Sequence, residues 1–256
     1  MNYNDNKKLF LILGFAVLLI VLTACAPKEV DPQKVVDDAI AAHGGELYNN
    51  SLIEFDFRGR QYKAKRDGWK FVYERNFYDS TLGQVRDVKT NDSTYREVNG
   101  EWLLIDDKLR RSIDGGVNSV IYFALLPQAL NDKAVVKKYL GDTEISGKQY
   151  HEIEVTFKQE GGGVDYEDRY VYWFNKEDKT MDYLTYFFYV NDSGSRFRQI
   201  YNERNVGGIL FSDHSNFKSE DMTVDNIEQY DSIMAAGKLE KVSEIILENV
   251  KVTPLN

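Results

Sequence analysis

Residues that mark disulfide, metal or nucleic-acid chemistry are scarce in this chain. It has one cysteine, three histidines and four prolines among 256 residues. A single cysteine excludes a disulfide framework and a cysteine-rich zinc site. Acidic residues outnumber basic ones by 41 to 32, and the net charge is −9. We therefore expect no nucleic-acid partner, because phosphate binding requires a basic face.

Long apolar runs are equally scarce, although 43% of the residues are hydrophobic and 13% are aromatic, which excludes disorder for most of the chain. One run stands out: 14 apolar residues from Leu9 to Leu22, preceded by Lys7 and Lys8. As a helix this run would span about 21 Å, which is short of the roughly 30 Å hydrocarbon core of a bilayer. Its length is typical of the core of a signal peptide.

The run ends in Leu-Thr-Ala-Cys25, which resembles the lipobox of bacterial lipoproteins. This resemblance implies that a signal peptide of residues 1–24 is cleaved and that lipid, palmitate included, is attached to Cys25. The acyl chains would then hold the protein on the membrane, with residues 25–30 as a tether. Ala26 favours the outer membrane by the sorting pattern of enteric bacteria. The alternative is a soluble secreted protein in which the cysteine is incidental.

The remaining chain, residues 31–256, predicts a single domain that is mainly β. Asp31 and Pro32 begin a helix that ends at Gly44-Gly45. About eleven antiparallel strands follow, the last over residues 241–252, and the apolar positions from Val117 to Leu125 indicate a second helix midway. Turns are expected at Asp67-Gly68, Asn99-Gly100, Ser146-Gly147 and Gly207-Gly208. Because many strands carry aromatics on one face and charges on the other, we expect an incomplete barrel or convex sheet, with the helices on its concave side.

Four short motifs within this domain carry a family resemblance. They are Ala-Ala-His43-Gly44-Gly45, Phe57-Arg58-Gly59, Tyr73-Glu74-Arg75 and Trp173-Phe174-Asn175. With the lipobox and the order of elements, they resemble an uncharacterised lipoprotein family of Bacteroidetes whose fold is similar to the outer-membrane lipoprotein carrier and receptor proteins. The resemblance implies the half-barrel fold and an envelope location, and it implies no activity.

The sequence contains no convincing catalytic or metal-binding motif. His43, His151 and His214 lie far apart in the sequence, so no metal site is predicted. The chain has no Gly-x-Ser-x-Gly elbow, and its one cysteine lies at the lipobox. We therefore predict no catalytic residue, no cofactor and no enzymatic activity.

The aromatic strand faces offer the one candidate binding site. Trp69, Phe71, Tyr73 and Trp173 are candidates to line an apolar pocket. Three arginines of the first hairpins are candidates to hold a phosphate or carboxylate head group at its mouth, namely Arg58, Arg66 and Arg75. The alternative is that the rings are core and the arginines are solvated or paired with neighbouring acids.

These features together predict a monomeric, lipid-anchored envelope protein that binds a hydrophobic ligand or the acyl chain of another lipoprotein. Two other functions stay open at this point. One is a structural or protein-interaction scaffold with a packed core, and the other is a hydrolase. A cavity larger than about 300 Å³ would favour ligand binding over the scaffold.

Overall fold

Two antiparallel sheets make up most of the structure. The computed structural model describes residues 29–161, 166–189 and 193–255, and within these ranges fourteen strands form two seven-stranded sheets, neither of which closes into a barrel. The residues from Pro32 onward form one compact unit. The predicted signal peptide and Cys25 lie outside the described residues. None of the described helices has the length and hydropathy needed to cross a bilayer.

Sheet A is a meander to which the last strand of the chain is added, beside the first. In spatial order it consists of β14 (Glu248–Pro254), β1 (Asn50–Phe57), β2 (Arg60–Asp67), β3 (Lys70–Asp79), β4 (Gly83–Thr90), β5 (Thr94–Val98) and β6 (Glu101–Leu103). The predicted turn at Asn99-Gly100 is confirmed, and both residues have positive φ, at 52° and 87°. A type I′ turn requires this conformation, and Asn-Gly is the pair that adopts it most readily.

Sheet B is a second meander in which all seven strands pair in chain order. It consists of β7 (Val135–Ile145), β8 (Lys148–Phe157), β9 (Arg169–Asn175), β10 (Met181–Phe188), β11 (Gly194–Val206), β12 (Ile209–Lys218) and β13 (Glu240–Ile245). The predicted turns at Ser146-Gly147 and Gly207-Gly208 are confirmed, since each lies between two paired strands.

Three α-helices accompany the sheets in the described part of the chain: α1 (Pro32–His43), α2 (Asp107–Ala124) and α3 (Tyr230–Ala235). Short 3₁₀ helices occupy Gly45–Asn49, Gln128–Asn131 and Ile227–Gln229. The side chain of Asp106 caps α2 by accepting a 2.7 Å hydrogen bond from the backbone N–H of Leu109. The helix therefore begins about ten residues before the predicted apolar stretch.

The helices cover the sheets through separate apolar clusters. Ile113, Val117 and Ile121 of α2 pack against the aromatic face of sheet A. Val36 and Ala39 of α1 pack against one face of sheet B. On its other face, sheet B is covered by the segment that contains Met222, Ile227 and Tyr230. Sheet B is consequently apolar on both faces, which explains the nearly continuous burial of β9.

The predicted fold class is confirmed as mainly β, antiparallel and not closed, but three elements differ from the prediction. The prediction of one last strand over residues 241–252 is wrong, because β13 lies in sheet B and β14 in sheet A. At the switch between the sheets, the N–H of Leu247 donates at 3.0 Å to a side-chain carboxylate oxygen of Asp213 in β12. Strand β4 and helix α3 were not predicted.

Candidate functional site

A cavity of about 370 Å³ lies between α2, sheet B and the end of β1. Its lining consists of Phe57 at the end of β1 and Arg58 after it; Ser119, Val120, Phe123 and Ala124 of α2; Tyr186, Arg198, Ser212, His214, Asn216 and Ile245 of sheet B; and Leu247. The lining residues of the described chain include no aspartate or glutamate, although the protein has 41 acidic residues. The volume is larger than about 300 Å³, which is the lower end of the range found for ligand pockets.

The polar wall of the cavity follows from the register of sheet B. Arg198 of β11 pairs with Asn216 of β12, and Ile200 pairs with His214. Paired residues of an antiparallel sheet lie on the same face, and so do residues two positions apart in one strand. Arg198, His214 and Asn216 are therefore brought together on one face of sheet B, which is the face that α2 approaches.

Arg198 is the central polar group of this wall. Its side chain is buried, with 7% exposure, and its Nη2 donates to the hydroxyl of Tyr186 at 2.9 Å. Its Cζ lies 3.8 Å from the centre of the Phe123 ring, so the guanidinium makes a cation–π contact with α2. Nε and Nη1 have no hydrogen-bond partner among the described residues. A buried, partly unsatisfied cation is costly, and a ligand that supplied acceptor atoms would relieve that cost.

His214 and Asn216 add two further unpartnered atoms. His214 Nδ1 and Asn216 Oδ1 have no hydrogen-bond partner in the described chain, while Asn216 Nδ2 donates to Ser243 Oγ at 3.3 Å. Burial, assisted by the nearby charge of Arg198, lowers the pKa of His214 to about 3. The imidazole is therefore neutral at pH 7, and the guanidinium of Arg198 supplies the positive charge of the buried wall.

The apolar wall comes from α2. Val120, Phe123 and Ala124 are three and four residues apart, a spacing that places them on one side of a helix. Ile113, Val117 and Ile121 of the same helix lie in the core on sheet A, and Val120 and Ala124 also pack against this cluster. The apolar wall of the cavity, formed by α2 and Leu247, is therefore continuous with the core of sheet A.

Comparison with known proteins gives a family and a fold. The model of a family of unknown function, DUF6503, matches residues 7–248. The chain belongs to this family. A search among curated proteins finds no match.

Three solved structures with a similar fold are a LolA superfamily protein from Nitrosomonas europaea, a DUF1329 family protein from Desulfovibrio piger and the lipoprotein LppX of Mycobacterium tuberculosis. The first has a TM-score of 0.50 at 10% identity and covers 89% of this chain and 94% of its own. The DUF1329 family protein has a TM-score of 0.47 at 11% identity and covers 87% of this chain and 93% of its own. LppX has a TM-score of 0.27 at 10% identity and covers 61% of this chain and 88% of its own. The match to the LolA superfamily protein confirms, for the fold, the resemblance stated from the sequence.

Of the seven residues predicted to bind ligand, only Arg58 is part of this lining, where its side chain is exposed. Arg75 instead donates to the buried carboxylate of Asp87, which also pairs with Arg96. Arg66 Nη1 donates to the hydroxyl of Tyr73 at 2.5 Å. Both arginines therefore have neighbours within sheet A.

The aromatic candidates lie elsewhere in the fold. Trp69 is 74% exposed at the turn between β2 and β3, and Phe71 and Tyr73 pack with the core of sheet A. Trp173 is fully buried in the cluster that contains Tyr230, on the face of sheet B opposite Arg198. A ligand contact of these residues stays a prediction.

Arg198, His214 and Phe123 were missed by the sequence analysis. Their juxtaposition depends on the pairing of β11 with β12 and on the docking of α2, which lies about 80 residues earlier. One signal in the sequence could have pointed to Arg198. Arg196, Arg198 and Ile200 are two positions apart in a predicted strand, so charged and apolar residues share one face there. A search of the described residues finds no cluster of histidine, cysteine and acidic residues suited to a metal ion.

Proposed function

We propose that the protein binds one hydrophobic ligand, or the acyl chain of another lipoprotein, in the cavity between α2 and sheet B. The observation that carries this proposal is the cavity itself, with a volume of about 370 Å³ and an apolar stripe of α2 on one wall. Ligand pockets range from about 300 to 1,000 Å³, so this volume suits a single chain better than a lipid with several chains. The fold shared with a LolA superfamily protein agrees with such a role.

We further propose that Cys25 carries lipid and anchors the protein in the cell envelope, at the outer membrane. The supporting features are the apolar run from Leu9 to Leu22 and the Leu-Thr-Ala-Cys25 motif. The binding domain would then stand next to a bilayer, which is a source of acyl chains. We propose that it acts as a monomer.

Hydrolysis is less well supported, although the cavity contains a serine and a histidine. Ser212 Oγ and His214 Nε2 are 3.5 Å apart, beyond the roughly 2.6–3.2 Å expected of a nucleophile and its base. A histidine whose pKa is about 3 is a weak base, and no carboxylate orients its ring in the described lining. These features favour binding over catalysis.

The experiment compares two phenylalanine substitutions on α2 in the full chain purified from membranes. Ala124→Phe fills the cavity, whereas Asn118→Phe adds the same ring at an exposed position of the helix. We expect wild type and Asn118→Phe to carry about one lipid chain per protein by mass spectrometry. Ala124→Phe should lose most of it, since the ring occupies the volume that the chain needs.

Circular dichroism checks that each variant keeps its β content. If Ala124→Phe unfolds, Ser119→Phe at the exposed mouth provides the second test. Wild-type protein that carries no lipid and binds neither dodecanol nor dodecanoate would contradict the proposal. A packed scaffold would then be the better account.

A further inference from the structure

Arg198 differs in its partners from Arg75, which is the other buried arginine of the described residues, and from two half-buried arginines, Arg169 and Arg204. Arg75, Arg169 and Arg204 each form an ion pair with an aspartate or glutamate. Arg198 forms no ion pair with any carboxylate in the described ranges, and its charged group bonds only to the Tyr186 hydroxyl. In a chain with 41 acidic residues, this leaves a guanidinium without a carboxylate partner in the wall of the cavity.

The unused donors of Arg198 point to the missing partner. Nε and Nη1 carry three of the five N–H groups of the side chain, and neither nitrogen has an acceptor in the described chain. Guanidinium groups match the geometry of carboxylate and phosphate oxygens, and such charge-assisted hydrogen bonds are the strong ones. An oxyanion in the cavity would satisfy these donors and neutralise the charge together.

The neighbouring side chains can join the same anion. His214 Nδ1 is unpartnered and becomes a donor when Nε2 accepts from the Ser212 hydroxyl. The amide of Asn216 can be turned so that Ser243 donates to Oδ1 and the NH₂ group faces the cavity. With no acidic residue in the described lining, nothing on this wall repels a negative charge.

We propose that the ligand of this cavity is a single-chain amphiphile whose anionic head group, a carboxylate or a phosphate monoester, binds at Arg198. Its apolar chain lies against Val120, Ala124 and Leu247. This inference rests on the proposed function, because it assigns a chemical class to the ligand of the same cavity. The specificity of the site for an anionic head group then depends on one buried arginine, Arg198.

The test is calorimetric titration of the full chain with dodecanoate, dodecyl phosphate and dodecanol, which share a chain and differ in the head group. Acetate and inorganic phosphate serve as free anions. We expect the wild type to bind at least one of the two anionic ligands at least about tenfold more tightly than dodecanol, a difference equivalent to about 1.4 kcal/mol. The tighter of the two anionic ligands identifies the head group.

A variant of Arg198 and a matched control test whether Arg198 causes the preference for anionic ligands. Arg198→Met keeps an apolar stem of similar length and removes the charge, so it should lose the preference for anionic ligands while binding dodecanol as the wild type does. The matched control is Arg196→Met, because Arg196 lies two residues away, donates to a backbone carbonyl and does not line the cavity. It should keep the preference. If Arg198→Met unfolds, Arg198→Lys keeps the charge without the planar fork and should retain only part of the preference.

The outcomes separate this inference from the proposed function. If dodecanol and dodecanoate both fail to bind the wild type, the proposed function fails. If they bind equally well, the cavity binds lipid but the assignment of an anionic head group is overturned, and this comparison needs no variant. If acetate or inorganic phosphate binds as tightly as the lipids, the site takes a free anion and the amphiphile assignment is overturned.

Discussion

At the scale of single residues, two tryptophans that look alike in the sequence occupy opposite environments. Trp173 is fully buried and makes an edge-to-face contact with Phe197, with ring centres 5.9 Å apart. Trp69 is 74% exposed, and its ring lies near the ammonium of Lys70. The energy that each ring contributes depends on the apolar area removed from water, so the two should differ greatly.

We predict that Trp173→Ala lowers the free energy of unfolding by about 3–5 kcal/mol, because it leaves a large hole in a packed cluster. Trp69→Ala should change the free energy by less than about 0.5 kcal/mol. Urea denaturation followed by circular dichroism measures both. Loss of bound lipid from Trp173→Ala at unchanged stability would contradict this prediction and support the ligand role assigned from the sequence.

The arginines show why residue roles were harder to predict than elements. The sequence places Arg58, Arg66 and Arg75 close together, but it does not reveal that Asp87 is a fully buried partner of Arg75. Asp87 occupies an inward position of β4 where the period-two pattern requires an apolar residue. This buried carboxylate interrupts the apolar pattern of β4, and it gives Arg75 a partner that the sequence does not reveal.

At the scale of elements, the fit of α2 on sheet A depends on a glycine. A Cβ atom at Gly116 would lie 2.5 Å from Nη1 of Arg75, whose guanidinium is held by Asp87. At Gly115, the preceding residue, a Cβ would meet no atom within 4 Å. The absence of a side chain at position 116 allows the helix to cover the ion pair closely.

We predict opposite effects for two adjacent substitutions in this helix. Gly115→Ala should raise the free energy of unfolding by up to about 1 kcal/mol, because alanine has the higher helix propensity. Gly116→Ala should lower it by about 1–3 kcal/mol, because the methyl group displaces Arg75 from Asp87. Thermal and urea unfolding measure the difference. Equal effects at the two positions would show that the close approach is unimportant.

Elements with strong local signals were the predictable ones. The turn at Asn99-Gly100 was found because positive φ favours asparagine and glycine, and Gly68, which also has positive φ, marked the turn after β2. The six residues of α3 are too few to show a helical period. The break between β13 and β14 has no turn residue, since Ile246 and Leu247 continue the apolar pattern while the chain changes sheets.

At the scale of the whole molecule, the anchor and the cavity are linked by the proposed function but rest on different residues. The proposed lipid anchor depends on the Leu-Thr-Ala-Cys25 motif, whose residues are adjacent in the sequence. The cavity depends on a helix and two strands brought together by the fold, so its position could not be read from spacing. Sequence analysis could therefore suggest that a hydrophobic ligand is bound without locating the cavity or Arg198.

We predict that Cys25→Ser abolishes the incorporation of labelled fatty acid and leaves the protein as the full-length precursor. The reason is that Cys25 is the one thiol in the chain, so no other residue can accept a thioether-linked lipid. Metabolic labelling and intact-mass measurement of wild type and variant provide the comparison. Labelled lipid on the serine variant would exclude the lipobox assignment.

The pairing of β14 with β1 means that sheet A is completed only after the strands of sheet B have been made. The strands of sheet B pair in chain order, so each can pair with the strand that directly precedes it in the sequence. Strand β1 is made early, but one of its edges pairs only with residues 248–254, which lie nearly 200 positions later in the sequence. Contacts of such long sequence separation form slowly, and an unpaired edge is a template for aggregation. A newly made copy of this protein therefore keeps one edge of β1 unpaired until residues 248–254 have been made and have paired with it.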